Sequence, residues 1–486
     1  MTPEHFDILI VGAGLSGIGA AVQLKQNCPG RGFAILEGRE ALGGTWDLFR
    51  YPGIRSDSDM YTLGYAFRPW TEKKSIADGA TILKYIADTA RDHDIDRHIR
   101  YSHRVKQASW SSADTRWTID IDKGPQREPV QITCNFFYVC SGYYNYEHGY
   151  TPDFPGTGRF SGRIVHPQKW TADVDYAGKR VVVIGSGATA VTLVPSMADK
   201  AAHVTMLQRS PTYVVSRPAE DKLAGWLNRH LPSGLAYGIT RWKNVLLGMV
   251  FFRLSKRQPE RVRKMIIEGV KKAVGPDCDV DKHFTPSYKP WDQRLCLVPN
   301  ADLFKAIRKG KASVVTDHIE TFTEKGIRLR SGQELEADVI VTATGLDLLA
   351  LGGIDIVVDG KAVVMNKTMS YKGMMLAGVP NLAYVIGYTN ASWTLKADLT
   401  GDYLCRLLNS MAKQGFRQCT PRLTDPSVTE ESWIDFSSGY IQRSLDKFPT
   451  QGNKKPWRLH QNYALDLVTL RFGPVNDGTM VFSKGY

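Results

Sequence analysis

Five of the six residues in Phe6-Asp7-Ile8-Leu9-Ile10-Val11 are apolar, and the run stops at Gly12. A short apolar run with little polar alternation predicts a strand covered on both faces. Residues 15–26 then read as a helix and 32–36 as the next strand, ending in Glu37. The same order recurs downstream, with a strand at 181–184, a helix at 188–198 and a strand at 203–207. Two further apolar runs, 137–142 and 339–345, each end in a small-residue turn and predict the crossings between two units. The expected division is 1–149 for the first part of one unit, 150–335 for a second, and 336–486 for the return to the first. A basic helical insertion is expected at about 215–290 within the second. The chain has no repeats and no low-complexity tracts.

The turns between strand and helix carry the chemistry. Gly12-x-Gly14-x-x-Gly17 follows the first strand and Gly185-x-Gly187-x-x-Ala190 the second. Glycines at this spacing let the backbone approach a pyrophosphate placed at a helix N-terminus. One such motif is weak evidence; two, each between a strand and a helix, make a strong signal for two dinucleotide sites. Glu37 lies 20 residues after Gly17, where a carboxylate meets ribose hydroxyls and rejects a 2′-phosphate, which suits FAD. The second unit has Arg209 at that place, followed by Ser210, and a guanidinium there suits the 2′-phosphate of NADPH. Two such sites predict an enzyme that passes electrons between two nucleotide cofactors.

Composition narrows the class. A chain of 486 residues exceeds one ordinary core, and 43% hydrophobic with 23% charged residues fits a globular protein of two or three domains. The N-terminus has no apolar signal region, so a cytoplasmic protein is expected. The seven cysteines form no CxxC pair and no zinc spacing, which predicts reduced thiols and no metal site. The net charge of +13 is concentrated: from Gly225 to Gly275 eleven Lys and Arg stand against two Glu. This stretch surrounds the apolar segment 245–252, far shorter than the ~20 residues of a membrane span. It fits either a helical insertion with its apolar residues packed inward or a helix in peripheral contact with an anionic membrane. No nucleic-acid motif accompanies the charge.

Four segments together resemble the class B flavoprotein monooxygenases, and among them the type I Baeyer–Villiger monooxygenases, nearest the ethionamide-activating group. They are the first glycine fingerprint; 43–57, Gly-Gly-Thr-Trp through Tyr51-Pro52-Gly53 to Asp57; Phe160-x-Gly162-x-x-x-His166-x-x-x-Trp170; and the pair 291–296 and 387–398. The resemblance runs from Phe6 to about Gly478 and departs at Thr171, where the family usually has Pro or Asp. It implies an α/β fold of two Rossmann-like dinucleotide-binding domains, for FAD and NADP, with a helical insertion in the NADP domain. It implies NADPH- and O₂-dependent chemistry through a C4a-peroxyflavin that turns ketones into esters or lactones, with oxygenation of sulfides or thioamides beside it.

For the flavin, the resemblance implies Gly12, Gly14, Ser16 and Gly17 at the pyrophosphate and Glu37 at the ribose. Gly44, Thr45 and Trp46 would lie beside the isoalloxazine, Val105 near the adenine, and Asn390 to Leu395 would close over the ring. For NADP it implies Arg55, Ser56 and Asp57 near the nicotinamide half, Gly185, Ser186, Gly187, Ala188, Thr189 and Ala190 at the phosphates, and Arg209 and Ser210 on the 2′-phosphate. Arg294 is the implied catalytic cation and Asp57 the carboxylate that orients it. His166 is expected to be held by backbone hydrogen bonds rather than to work as an acid or base.

Two other classes compete. A flavin N/S-monooxygenase acting through hydroperoxyflavin would share both nucleotide sites but need no arginine at the flavin. A pyridine-nucleotide disulfide reductase needs a cysteine pair after the first fingerprint, and residues 42–101 contain no cysteine.

Overall fold

In this computed structural model, residues 3–433 and 437–485 are described. The strand Glu4–Val11 lies inside a nine-stranded sheet, parallel to Phe33–Leu36 on one side and to Glu128–Val139 on the other. Its apolar run is divided between two cores. Ile8 and Ile10 pack under the helices Leu15–Asn27 and Trp393–Gln414, while Leu9 and Val11 face the hairpin strands with Trp110, Trp117 and Ile119. Burial on both faces is why the run lacks polar alternation, and each such side chain contributes about 1.5–3 kcal/mol. Close approach of the two helices depends on Gly401, where an added Cβ would fall 1.7 Å from the Gln23 Oε1.

The second sheet is parallel throughout, in the order Ala312–Thr316, His203–Gln208, Arg180–Ile184, Val339–Thr342, Arg163–Val165. Its central strand repeats the two-sided pattern, with Val181 and Val183 in one core and Val182 and Ile184 in another. Here the boundary expected at 335 needs correction. Val339–Thr342 pairs between Arg180–Ile184 and Arg163–Val165, so the second sheet is complete only after Thr342. A buried apolar run announces a strand but does not say which sheet it joins.

The basic insertion lies between Val214–Arg217 and Cys296–Pro299, which pair as a parallel ribbon. It contains the helices Lys222–His230, Ser233–Arg257 and Pro259–Val274. The last packs on the second unit through Val262, Ile266 and Val270. The middle helix anchors on the first: buried Arg241 pairs with Asp398 at 3.2 Å and donates to the carbonyls of Tyr61 and Gly64. Not all of its apolar residues turn inward. Val245 is buried, but Leu235, Ile239, Trp242, Leu246 and Val250 form an exposed stripe at helical spacing. No described helix is long and apolar enough to cross a membrane.

Candidate active site

Both fingerprints form strand–turn–helix units whose glycines are sterically required. Gly12 has φ +96°, and a Cβ on Gly17 would fall 1.8 Å from the Gly12 carbonyl oxygen, so strand and helix touch here. Gly185 has φ +135°, and its Cβ would meet the Ala343 carbonyl at 2.3 Å. Neither Gly14 nor Gly187 supplies a side-chain cap, so the helices begin with amides free to meet phosphate oxygens. Nothing lies within 4 Å of a Cβ built on Gly187, and Ala188 beside it is exposed, so this turn faces open space. Thr189 and Ala190 continue into the helix Ala188–Met197.

The residues that distinguish one nucleotide from the other stand beside these turns. Glu37 is buried at the end of Phe33–Leu36 and accepts from the Ala13 amide at 2.8 Å and the Arg39 amide at 2.9 Å. Burial raises its pKa against those two hydrogen bonds. Val105 is buried two residues after His103, whose amide donates to the Glu37 carbonyl. Arg209 and Ser210 are exposed at the end of His203–Gln208, and the Ser186 hydroxyl donates to the Ser210 carbonyl at 3.2 Å. That contact joins the second fingerprint to its cationic end. The donor sets fit a ribose-diol nucleotide in the first site and a 2′-phosphorylated one in the second.

The motif 43–57 connects the two units. Gly44 precedes the short helix Thr45–Leu48, and a Cβ built on it would lie 3.2 Å from the Tyr146 hydroxyl oxygen. Trp46 packs at the edge of the first core. Further on, Gly53 is so close to the second fingerprint helix that a Cβ would meet Ser196 Oγ at 1.8 Å. Burial lifts the Tyr51 phenol to about 12. Arg55 donates through Nη1 to Asp302, while its Nη2 is buried without a partner among the described residues and leaves a cationic donor for a ligand. Ser56 is buried against the backbone of Ala77.

Arg294 meets Asp57 where these elements converge. Its Nη2 donates to Asp57 Oδ2, and its Nη1 donates to the Thr389 carbonyl at 3.1 Å. The Asp57 carboxylate raises the Arg294 pKa, so the guanidinium is charged at every working pH. About a third of the side chain remains exposed, 34%. It faces a chamber lined with Tyr143, Trp393, Trp433, Tyr440 and Phe448. Trp393 stacks on Tyr143 at 5.1 Å and donates from Nε1 to Ser16 Oγ at 2.7 Å, tying this loop to the first fingerprint helix. Asn390 bonds the Gln461 carbonyl, and Leu395 packs with Val245 and Tyr388.

His166 stands apart from the chamber. Its Nδ1 accepts from the Gln168 amide and its Nε2 lies 3.2 Å from the Gly345 carbonyl, so backbone groups satisfy both ring nitrogens. Burial lowers its pKa. The ring joins the entry to the second sheet with the exit after Val339–Thr342, a position suited to fixing the domain crossing. Trp170 packs beside Tyr176 at the second core.

The sequence did not single out Tyr143 or Gln461. Tyr143 directly follows the small-residue turn at Gly142, a signal that could have marked it, whereas Gln461 carries no motif, and no motif fixes the wall residues Trp433 and Tyr440. All seven cysteines are free thiols.

The family model "Flavin-binding monooxygenase-like" matches residues 72–391. The chain belongs to that family. A second model, "NAD(P)-binding Rossmann-like domain", matches residues 10–71, the first fingerprint unit. FAD-containing monooxygenase EthA of Mycobacterium tuberculosis is 55% identical over 482 residues, 99% of this chain and 98% of the relative. Putative FAD-containing monooxygenase MymA of the same species is 52% identical over 485 residues, 99% and 98% of the two chains. Probable FAD-binding monooxygenase AlmA of Acinetobacter baylyi is 48% identical over 483 residues, 99% and 97%. A steroid monooxygenase bound to NADP shares the fold with a TM-score of 0.75 at 21% identity, covering 99% of this chain and 100% of that one. OTEMO in complex with FAD and NADP gives 0.69 at 23% identity over 86% and 88%.

Proposed function

We propose that this flavin-binding monooxygenase uses FAD, NADPH and O₂ to insert one oxygen atom into ketones, giving esters or lactones, with S-oxygenation of sulfides or thioamides as a lesser activity. The balance is ketone + O₂ + NADPH + H⁺ → ester + NADP⁺ + H₂O. The observation that carries this reading is the fixed guanidinium of Arg294 at the wall of an aromatic chamber. Oxidation of a soft sulfur does not require such a cation, whereas attack on a carbonyl does.

FAD supplies O₂ activation when bound and reduced. The first-site residues Gly12, Gly14, Ser16, Gly17, Glu37, Gly44, Thr45, Trp46, Val105, Asn390 and Leu395 are assigned to it. Arg55, Ser56, Gly185, Ser186, Gly187, Ala188, Thr189, Ala190, Arg209 and Ser210 are assigned to NADPH. Support for the assignment comes from the free helix amides, the Glu37 carboxylate and the unpaired Arg55 nitrogen.

Arg294 donates hydrogen bonds to the ketone oxygen as negative charge develops there. Asp57 holds the guanidinium plane on one side and the Thr389 carbonyl on another, so little reorientation is needed during reaction. The rings of Trp393, Trp433 and Phe448 exclude water, which strengthens that interaction. Purified yellow protein given NADPH, air and a panel of ketones and sulfides tests the reading. Ester or lactone formation supports it, and sulfoxides as the only products favour the N/S-oxygenase.

The exposed stripe Leu235, Ile239, Trp242, Leu246 and Val250 supports a second proposal, that the insertion rests on an anionic membrane surface. Exposed Lys222, Arg229, Arg253, Lys256 and Arg257 flank it with the complementary charge. Cosedimentation with phosphatidylglycerol vesicles but not phosphatidylcholine vesicles is expected, and equal recovery with both would refute it.

A further inference from the structure

Next to the Arg294 chamber the C-terminal segment encloses a second compartment of about 290 Å³. The two share Ile386, Gly387, Tyr388, Trp433 and Gln461 in their walls. Two successive contacts connect them: Arg294 donates to the Thr389 carbonyl, and the Thr389 amide donates to Gln461 Oε1 at 3.0 Å. Residues 434–436, which follow Trp433 in the chain, lie outside the described residues.

Charge distinguishes this compartment from the aromatic chamber. Lys372, Lys396, Lys455, Arg458 and His460 line it against only Asp466 and Asp477. Both carboxylates are already committed. Asp466 accepts from Lys396 at 2.8 Å and from the Tyr388 hydroxyl at 2.7 Å. Asp477 pairs with Lys372 at 3.0 Å and accepts from the Tyr371 hydroxyl at 2.7 Å. Lys455 and Arg458 are exposed at the edge, and among the described residues neither has a carboxylate partner. Among the described residues His460 Nε2 is buried with no hydrogen-bond partner. A buried polar nitrogen without a partner is costly unless a ligand satisfies it. Between the cations, Ile386, Leu459 and Leu470 supply an apolar wall.

We propose that this compartment holds the carboxylate head of the substrate, so that the ketone oxidised beside Arg294 is the keto group of an aliphatic oxo acid. The proposal rests on the ketone-oxidising reading for the word "ketone", but the anion site itself does not. Lys455 and Arg458 attract the carboxylate, His460 Nε2 donates to it, and the methylene chain runs past Leu459, Ile386 and Tyr388 towards the chamber. A neutral ketone of equal length fills the chain path but leaves the cations to water.

The test uses the flavin-loaded enzyme and the double variant Lys455→Gln/Arg458→Gln, both positions being exposed at the surface. Binding is read from tryptophan fluorescence with decanoate and methyl decanoate, neither of which has a keto group to oxidise. Turnover is read with 9-oxodecanoate and its methyl ester. Decanoate is expected to bind about tenfold more tightly than its ester, with the difference lost in the double variant. The kcat/KM ratio of oxo acid to oxo ester should fall about tenfold in parallel, the size of one charge-assisted hydrogen bond. Equal binding of decanoate and its ester by the unaltered enzyme would overturn the proposal. So would an equal loss of both ligands in the variant, which would mark a structural role. Stimulation of ester turnover by free acetate or phosphate would show that the site takes a separate anion, and would also overturn it. If no ketone yields an ester while the decanoate preference persists, the ketone reading fails and the anion site stands.

Discussion

Asp57 and Arg294 are 237 positions apart, and their side chains form an ion pair at the edge of the aromatic chamber. The carboxylate comes from the motif that docks on the second fingerprint helix. The guanidinium comes from the loop that enters the ribbon strand Cys296–Pro299. Correct placement of the proposed catalytic cation therefore depends on both nucleotide units being packed together.

Replacing Arg294 by Ala is expected to lower kcat for ketones about 10²- to 10³-fold, the usual effect of removing a donor to a developing oxyanion. Sulfide oxidation should fall much less. Parallel steady-state measurements on one ketone and one sulfide check this, and equal losses on both would contradict the assigned role.

Asp57→Asn removes the charge but keeps the shape of the group that orients Arg294. Ketone turnover should fall about tenfold, and the double variant Asp57→Asn/Arg294→Ala should be little worse than Arg294→Ala alone, because the two act as one unit. Additive losses in the double-mutant cycle would separate their roles.

Arg209→Ala should raise KM for NADPH by about tenfold or more, the loss of a charge-assisted contact, while NADH kinetics barely move. Comparing both coenzymes under identical conditions tests the location of the 2′-phosphate. Equal changes for both would put that phosphate elsewhere.

Gly17→Ala places a methyl group 1.8 Å from the Gly12 carbonyl oxygen. Overpacking of this kind costs about 1–3 kcal/mol and displaces the turn that meets the first nucleotide. The purified variant should carry substantially less flavin, visible as a reduced ratio of 450 to 280 nm absorbance. A full complement would show that the turn yields without consequence.

Burial raises the Asp398 carboxyl to about 6 even though Arg241 opposes the shift. A folded pKa above the unfolded one means that the protonated group contributes stability at low pH and that the contribution fades as pH rises through 6. Relative to Asp398→Asn, the melting temperature of the unaltered protein should thus decline between pH 4 and pH 6.5. A difference curve independent of pH would contradict the raised value.

Much of this arrangement was legible because its physical causes are local. The apolar runs 6–11 and 181–184 marked the central strands, and the glycine spacing marked both nucleotide turns, since helix–strand contact at Gly17 leaves no room for another residue. Glu37 and Arg209 followed from counting along the fold. The ion pair itself came from a family resemblance, because no local pattern connects position 57 with 294. Strand membership was less visible: Val339–Thr342 announced a buried strand but not its sheet. Exposure was less visible still. The pattern of 245–252 suits an inward face or an outward one, and the structure divides it, with Val245 buried and Val250 64% exposed. Gln461 escaped notice because a residue brought to a chamber wall by long-range folding needs no neighbouring motif.

Turnover of a ketone by the flavin-loaded enzyme under ¹⁸O₂ with NADPH tests the central claim most directly. An ester carrying one ¹⁸O per NADPH consumed, lost in Arg294→Ala, is the predicted result. Unlabelled ketone recovered alongside labelled hydrogen peroxide, with sulfides still converted to labelled sulfoxides, would contradict it.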